Sequence, residues 1–188
     1  MLARFISRYL PPVYVLAFLG VILGGFFEGI FGDTLPCPLC MLIRYFMFMA
    51  ILPIVWLMWT RRKEEVPKGH AVTAWGLAAF SSVGGAITAG RQMLLHTQKG
   101  DPGYAGTVFG LHTYTWAFVV FVIAVLGSLV ALMCVDEYKR LDRKRLPSVI
   151  MAIVLLTVVA NLVYVFLEAG FHWSLPDDPQ CYLLFEEC

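Results

Sequence analysis

The chain has 188 residues, 60% hydrophobic and 14% charged, with a mean hydropathy of +0.76 and a formal net charge of +1. A soluble domain carries about a quarter charged residues. The shortfall here sits in long uninterrupted apolar runs, which excludes an ordinary water-soluble domain and points to an integral membrane protein. The near-zero net charge is no argument for a nucleic-acid partner, and none is expected.

Five runs are long enough to span: about 13–31, 41–60, 71–95, 112–135 and 148–171. Roughly 20 apolar residues cross the hydrocarbon layer as a helix, and a helix satisfies its own backbone hydrogen bonds there. The expectation is therefore one all-α membrane domain over 1–188, without repeat or low-complexity linker. Span 1 follows Arg4 and Arg8 but is too long for a signal peptide, carries Glu28, and lacks a small-residue cleavage site. Gly20, Gly24, Gly25 and Gly29 within it are spaced as small-xxx-small pairs, read as helix-packing positions.

Span 2 opens with TLPCPLCMLIR, residues 34–44. Cys37 and Cys40 form a Cys-X-X-Cys at a helix start, where orphan N–H groups and the dipole favour a thiolate. Pro38 suits the first turn, where its missing N–H costs nothing. Arg44 follows Cys40 by four residues on the same helix face, and a cation inside a span is costly and usually functional. Pro53, further along, is expected to bend the helix.

Eleven of the fourteen Lys and Arg residues fall at the N-terminus, in 61–70 and in 136–147, all on one side of the five-span arrangement. The positive-inside rule puts that side, with the N-terminus, in the cytoplasm and the C-terminus outside. This topology sorts the five cysteines. Cys37, Cys40, Cys181 and Cys188 face the oxidising side, while Cys134 ends span 4 on the inner side as a small apolar residue.

The loop between spans 3 and 4 is glycine-rich and fits a lid along the membrane surface, with Tyr104, His112, Tyr114 and Trp116 as interfacial anchors. Glu168 and His172, near the end of span 5, are open to an anchoring or a chemical role. In the tail, DDPQCYLLFEEC, Cys181 and Cys188 are seven apart. On a helix that is about 10 Å of rise, beyond the roughly 7 Å a disulfide tolerates between alpha carbons. A bridge therefore requires a loop, and a terminal ring stabilises little, so redox chemistry is the better reading. The ten residues from Phe171 to Cys181 extend about 30 Å, enough to reach Cys37.

A polytopic membrane protein with Cys-Pro-Leu-Cys opening span 2 and an arginine four residues on resembles the DsbB family of disulfide-bond formation proteins. GRQMLLH, residues 90–96, is similar to the Arg-Gln-x-x-Leu-x-His stretch at the outer end of that family's third helix. The resemblance covers about residues 10–135. It implies a four-helix transmembrane bundle there, to which this chain adds a fifth transmembrane helix (about 148–171) and the outer tail 172–188. It also implies a thiol–quinone oxidoreductase of the bacterial inner membrane, taking electrons from a periplasmic thioredoxin-fold oxidase (DsbA-like) to ubiquinone or menaquinone. Cys40 would face the quinone and Cys37 would exchange with an outer cysteine pair. Arg44 would hold the quinone, helped from span 3 by Arg91 and His96.

Two features depart from the family pattern. The loop after span 3 has no cysteine, and a fifth span carries a cysteine pair outside. The implied outer pair is then Cys181 and Cys188, moved to the C-terminus. With LHTYTW, residues 111–116, opening span 4, this resembles the branch called DsbI. Rival readings are a vitamin K epoxide reductase-like enzyme, a thiol reductase running in reverse, and a non-enzymatic metal-binding or disulfide-stapled membrane protein. A Cys-X-X-Cys opening span 2 favours the first resemblance over the vitamin K type, whose motif lies in a late span.

Overall fold

A computed structural model describes residues 2–31, 35–62, 66–96, 103, 106–135, 145–172 and 182–185. Its helices are α1 (Leu2–Phe31), α2 (Pro38–Thr60), α3 (Lys68–Leu95), α4 (Thr113–Met133) and α5 (Arg145–Ala169), with a hairpin of β1 (Thr107–Val108) and β2 (Leu111–His112) before α4. All five helices are long and apolar enough to cross a membrane. The protein is an all-α multi-pass membrane protein, as its hydropathy pattern requires.

The apolar run predicts a first span from about residue 13, but α1 runs straight through Pro11 and Pro12. Pro11 has no N–H to offer the Ser7 carbonyl four residues back. Arg61 Nη1 donates to that carbonyl instead, at 2.9 Å, with both residues buried. The same arginine caps α2 through its backbone N–H. One side chain thus ties the start of α1 to the end of α2 and repairs the hydrogen bond that proline removes.

α2 and α4 both lie along α3, α1 closes the group against α2 and α4, and α5 packs outside it, mainly on α2. In lipid no hydrophobic force drives helices together, so close contact between backbones must do so. α3 supplies it with a buried stripe of Ala71, Ala74, Ala78, Ser82, Gly85, Ala89 and Gln92, each three or four residues from the last. A Cβ at Gly85 would overlap the Phe121 ring of α4. Around this stripe Tyr14 meets Trp75 edge-on at 5.3 Å between centroids, and Phe18 meets Phe121 at 5.3 Å. Large apolar side chains such as Phe80, Leu126 and Leu156 point outward to where lipid would lie.

α5 buries Pro147, Ile150, Val154, Thr157, Asn161, Tyr164 and Glu168. That alternation of three and four is a seam, and its outer half is polar. The returning tail docks on the end of this helix. The Leu183 N–H donates to the Glu168 carbonyl at 3.1 Å, and Tyr182 meets Tyr164 edge-on at 6.5 Å. Gly170 turns the chain with φ +57°, against Leu183 and Leu184.

One sequence reading changes here, and the loop after α3 gains detail. Gly20 and Gly24 are not packing positions: a Cβ on either would meet nothing within 4 Å. They leave a groove open on the surface of α1. The loop after α3 contains a two-residue hairpin turn, Phe109 (φ 52°) and Gly110 (φ 79°). Positive φ at both central residues is the turn whose twist matches the strands. The hairpin is pinned by Trp116 Nε1 donating to the Val108 carbonyl at 2.8 Å and by the Gly106 N–H donating to the Glu28 carboxylate.

Candidate functional site

Cys37 is extended, with φ −65° and ψ 161°, and Pro38 starts α2. Cys37 is the N-cap: its Sγ accepts from the Cys40 N–H at 3.2 Å, serving one of the orphan donors of the first turn. The two sulfurs then lie 2.9 Å apart. A disulfide needs about 2.05 Å, so bond formation requires under an ångström of sulfur motion. Cys37 is buried and Cys40 is partly open.

Gln92 of α3 completes the pair. Its Nε2 donates to Cys37 Sγ at 3.2 Å and to Cys40 Sγ at 3.3 Å, and the Cys40 thiol faces Gln92 Oε1 at 3.8 Å. The side chain is 1% exposed. An amide aimed at both sulfurs stabilises negative charge on either and fixes their geometry. Sequence reasoning quoted this residue within its motif but gave it no role. The signal was present, since Gln92 is the last position of the small-residue stripe of α3. Arg91, the adjacent residue, falls on the exposed side of the helix and does not line the cavity described below.

Arg44 sits one turn beyond Cys40 and is buried. Its Nη2 donates to the Gly25 carbonyl at 2.9 Å. Its guanidinium lies over the rings of Phe26 (5.0 Å) and Tyr164 (5.7 Å). Nη1 has no hydrogen-bond partner. Gly25 leaves room for this contact: a Cβ there would lie 3.3 Å from Arg44 Nη2, tight enough that the guanidinium would have to shift by a few tenths of an ångström.

A cavity of about 70 Å³ reaches Cys40 and Arg44, walled by Ile22, Ile43, Met47, Tyr114 and Ala117. It shares Val21, Gly25, Glu28 and Thr113 with a groove of about 580 Å³ between α1 and α4. The groove runs past Gly20 and Gly24 and under Thr107 and Val108 of the hairpin. Through these shared residues the two lead from the surface between α1 and α4 toward Cys40 and Arg44. His96 lines neither. His96 caps α3 and stacks on Tyr114 at 5.7 Å, with His112 on the same tyrosine at 5.1 Å. Through Tyr114 it braces the cavity wall.

Cys181 and Cys188 lie outside the described residues. Their neighbours Tyr182 and Leu183 are described, and they rest on Tyr164 and Glu168, beside Arg44. Cys134 is the C-cap of α4, away from this constellation.

Comparison with curated proteins and with solved structures gave no match. The family profile of disulfide bond formation protein DsbB matches residues 7–104, just over half of the chain, and that stretch contains most of α1, all of α2 and α3, Cys37, Cys40, Arg44 and Gln92. The chain therefore belongs to the DsbB family, membrane oxidoreductases of disulfide bond formation.

Proposed function

We propose that the protein reoxidises a periplasmic thioredoxin-fold disulfide oxidase and passes the electrons through Cys37 and Cys40 to a quinone of the inner membrane. The observation that carries this reading is the passage just described: it leads to Cys40 and the buried Arg44, and it opens between α1 and α4. A quinone headgroup fits that chemistry, offering a carbonyl oxygen to Arg44 and a flat apolar ring to Ile22, Met47 and Tyr114. Bound there, ubiquinone or menaquinone supplies an acceptor for two electrons and two protons.

The chain's own residues do the rest. Gln92 donates to whichever sulfur carries charge, which makes Cys40 a good leaving group when Cys37 is attacked. Arg44 holds negative charge beside Cys40 without neutralising it by contact. The apolar walls exclude water from the thiolate. Cys181 and Cys188 are the outer pair that meets the partner oxidase, and the docking of Tyr182 and Leu183 on α5 supports delivery of that pair toward Cys37. The basic loops support a cytoplasmic N-terminus and a periplasmic C-terminus.

The test is quinone reduction by the purified protein, followed optically, with the reduced oxidase as donor. Cys37→Ser/Cys40→Ser abolishes turnover. Cys181→Ser/Cys188→Ser abolishes turnover with the oxidase as donor but retains it with dithiothreitol. Wild-type protein that reduces no quinone refutes the reading. A tail variant that turns over normally with the oxidase refutes the role of the tail pair.

A further inference from the structure

Among the described residues, Arg44 Nη1, Asn161 Oδ1 and both carboxyl oxygens of Glu168 are buried without a hydrogen-bond partner, and Tyr164 Oη has Tyr182 of the tail beside it. Arg44 and Glu168 flank Tyr164, and Asn161 lies a turn further along the same face of α5. Asn161, Tyr164 and Glu168 follow each other on the inward seam of α5, and Arg44 stands over the Tyr164 ring. Glu168 is 0% exposed. It interacts electrostatically with Arg44 and Cys40 of α2. From its own helix Tyr164 faces it, and Tyr182 of the returning tail stands behind Tyr164. The Leu183 N–H on its carbonyl closes the outer end.

A structural carboxyl this buried would be paired, because leaving a buried polar group without a partner is costly, and more so when it is charged. Ionisable groups left unpaired inside a membrane protein belong to ion or proton pathways. The redox step at Cys40 creates a charge beside this carboxyl, and an uncompensated charge in a low-dielectric site is expensive.

We propose that Glu168 is the proton acceptor coupled to reduction of the Cys37–Cys40 disulfide. The inference rests on the redox role proposed for that pair. In the step, the sulfur of a donor thiol bonds to Cys37 Sγ as the Cys37–Cys40 bond breaks. The electron pair of that bond leaves on Cys40 Sγ as a thiolate. The proton lost by the donor thiol ends on the Glu168 carboxylate. Before the step Arg44 balances Glu168; after it Arg44 balances Cys40, and the total charge of the locus is unchanged. The fifth helix thereby equips the four-helix site with a proton store on the side of Arg44 away from the α1–α4 groove.

The experiment uses full-length protein in lipid nanodiscs, stripped of quinone, with dithiothreitol as the donor. Thiol alkylation follows reduction of Cys37 and Cys40, and infrared difference spectra (reduced minus oxidised) follow carboxyl protonation. Wild type shows a protonated-carboxyl band appearing on reduction. Glu168→Gln loses the band and takes up one proton fewer per pair reduced. Glu168→Asp keeps the band at a shifted frequency. Reduction of the pair with no carboxyl band, or a band retained in Glu168→Gln, overturns the proposal. If Glu168→Gln does not fold, an unshifted band in Glu168→Asp overturns it. A pair that cannot be reduced in wild type overturns the underlying redox reading as well.

Discussion

Gln92 and Arg91 are adjacent in sequence and about 100° apart around α3, and that rotation separates a residue on the sulfurs from one on the surface. Residue type alone draws attention to the arginine, because charge is scarce in a span. Burial periodicity selects the glutamine. Replacing Gln92 with Leu removes both N–H···S contacts at nearly constant volume. Hydrogen bonds to a charged group contribute about 1.5–3 kcal/mol, so alkylation of Cys40 at neutral pH should slow at least tenfold, as read by timed iodoacetamide quenching and mass spectrometry. The same substitution at Arg91 should leave that rate unchanged. Arg44 needs its planar fork to reach Gly25 while keeping a second N–H free. Arg44→Lys should raise the apparent KM for quinone about tenfold with little change in Cys40 alkylation. Gly25→Val, which pushes on the same guanidinium, should raise KM in the same direction. Steady-state kinetics over a quinone concentration series check both.

The start of α1 is decided at the scale of elements. Two consecutive prolines ordinarily end a helix, and nothing local to residues 5–15 says that Arg61 will serve the orphaned carbonyl of Ser7. The repair comes from another helix and so is invisible in a sequence window. It makes a double-mutant prediction. Arg61→Ala should cost about 1–3 kcal/mol, read as a thermal midpoint lowered by several degrees in detergent. Adding Pro11→Ala restores the missing N–H and should recover much of that loss, whereas Pro12→Ala should not. The hairpin is another case. Phe-Gly is an uncommon pair for a turn with positive φ at both positions, and its register depends on anchors from α1 and α4, namely Glu28 and Trp116.

For the whole molecule, the fifth helix matters most. Its seam of buried residues at three-and-four spacing is readable from the sequence, but which helix that seam meets is not. Because it meets α2, its polar outer half stands next to Arg44 and Cys40. The orientation proposed from the basic loops predicts a labelling pattern. In spheroplasts, a variant retaining only Cys188 should react with a membrane-impermeant maleimide, and one retaining only Cys134 should react only after permeabilisation. The reverse pattern would invert the topology.

Sequence by itself determined the membrane class, the five spans, the cysteine pair at a helix N-terminus and the arginine one turn on. Each of these is set by local periods, by chain length against bilayer thickness, or by spacing along one helix. Tertiary structure alone decided that Gln92 holds the sulfurs, that Gly20 and Gly24 border an open groove, that Arg61 mends the break at Pro11, and that Glu168 stands unpaired beside Arg44. Those outcomes depend on which helix faces which. Lipid supplies no hydrophobic force to write that choice into composition, so close packing of particular side chains makes it.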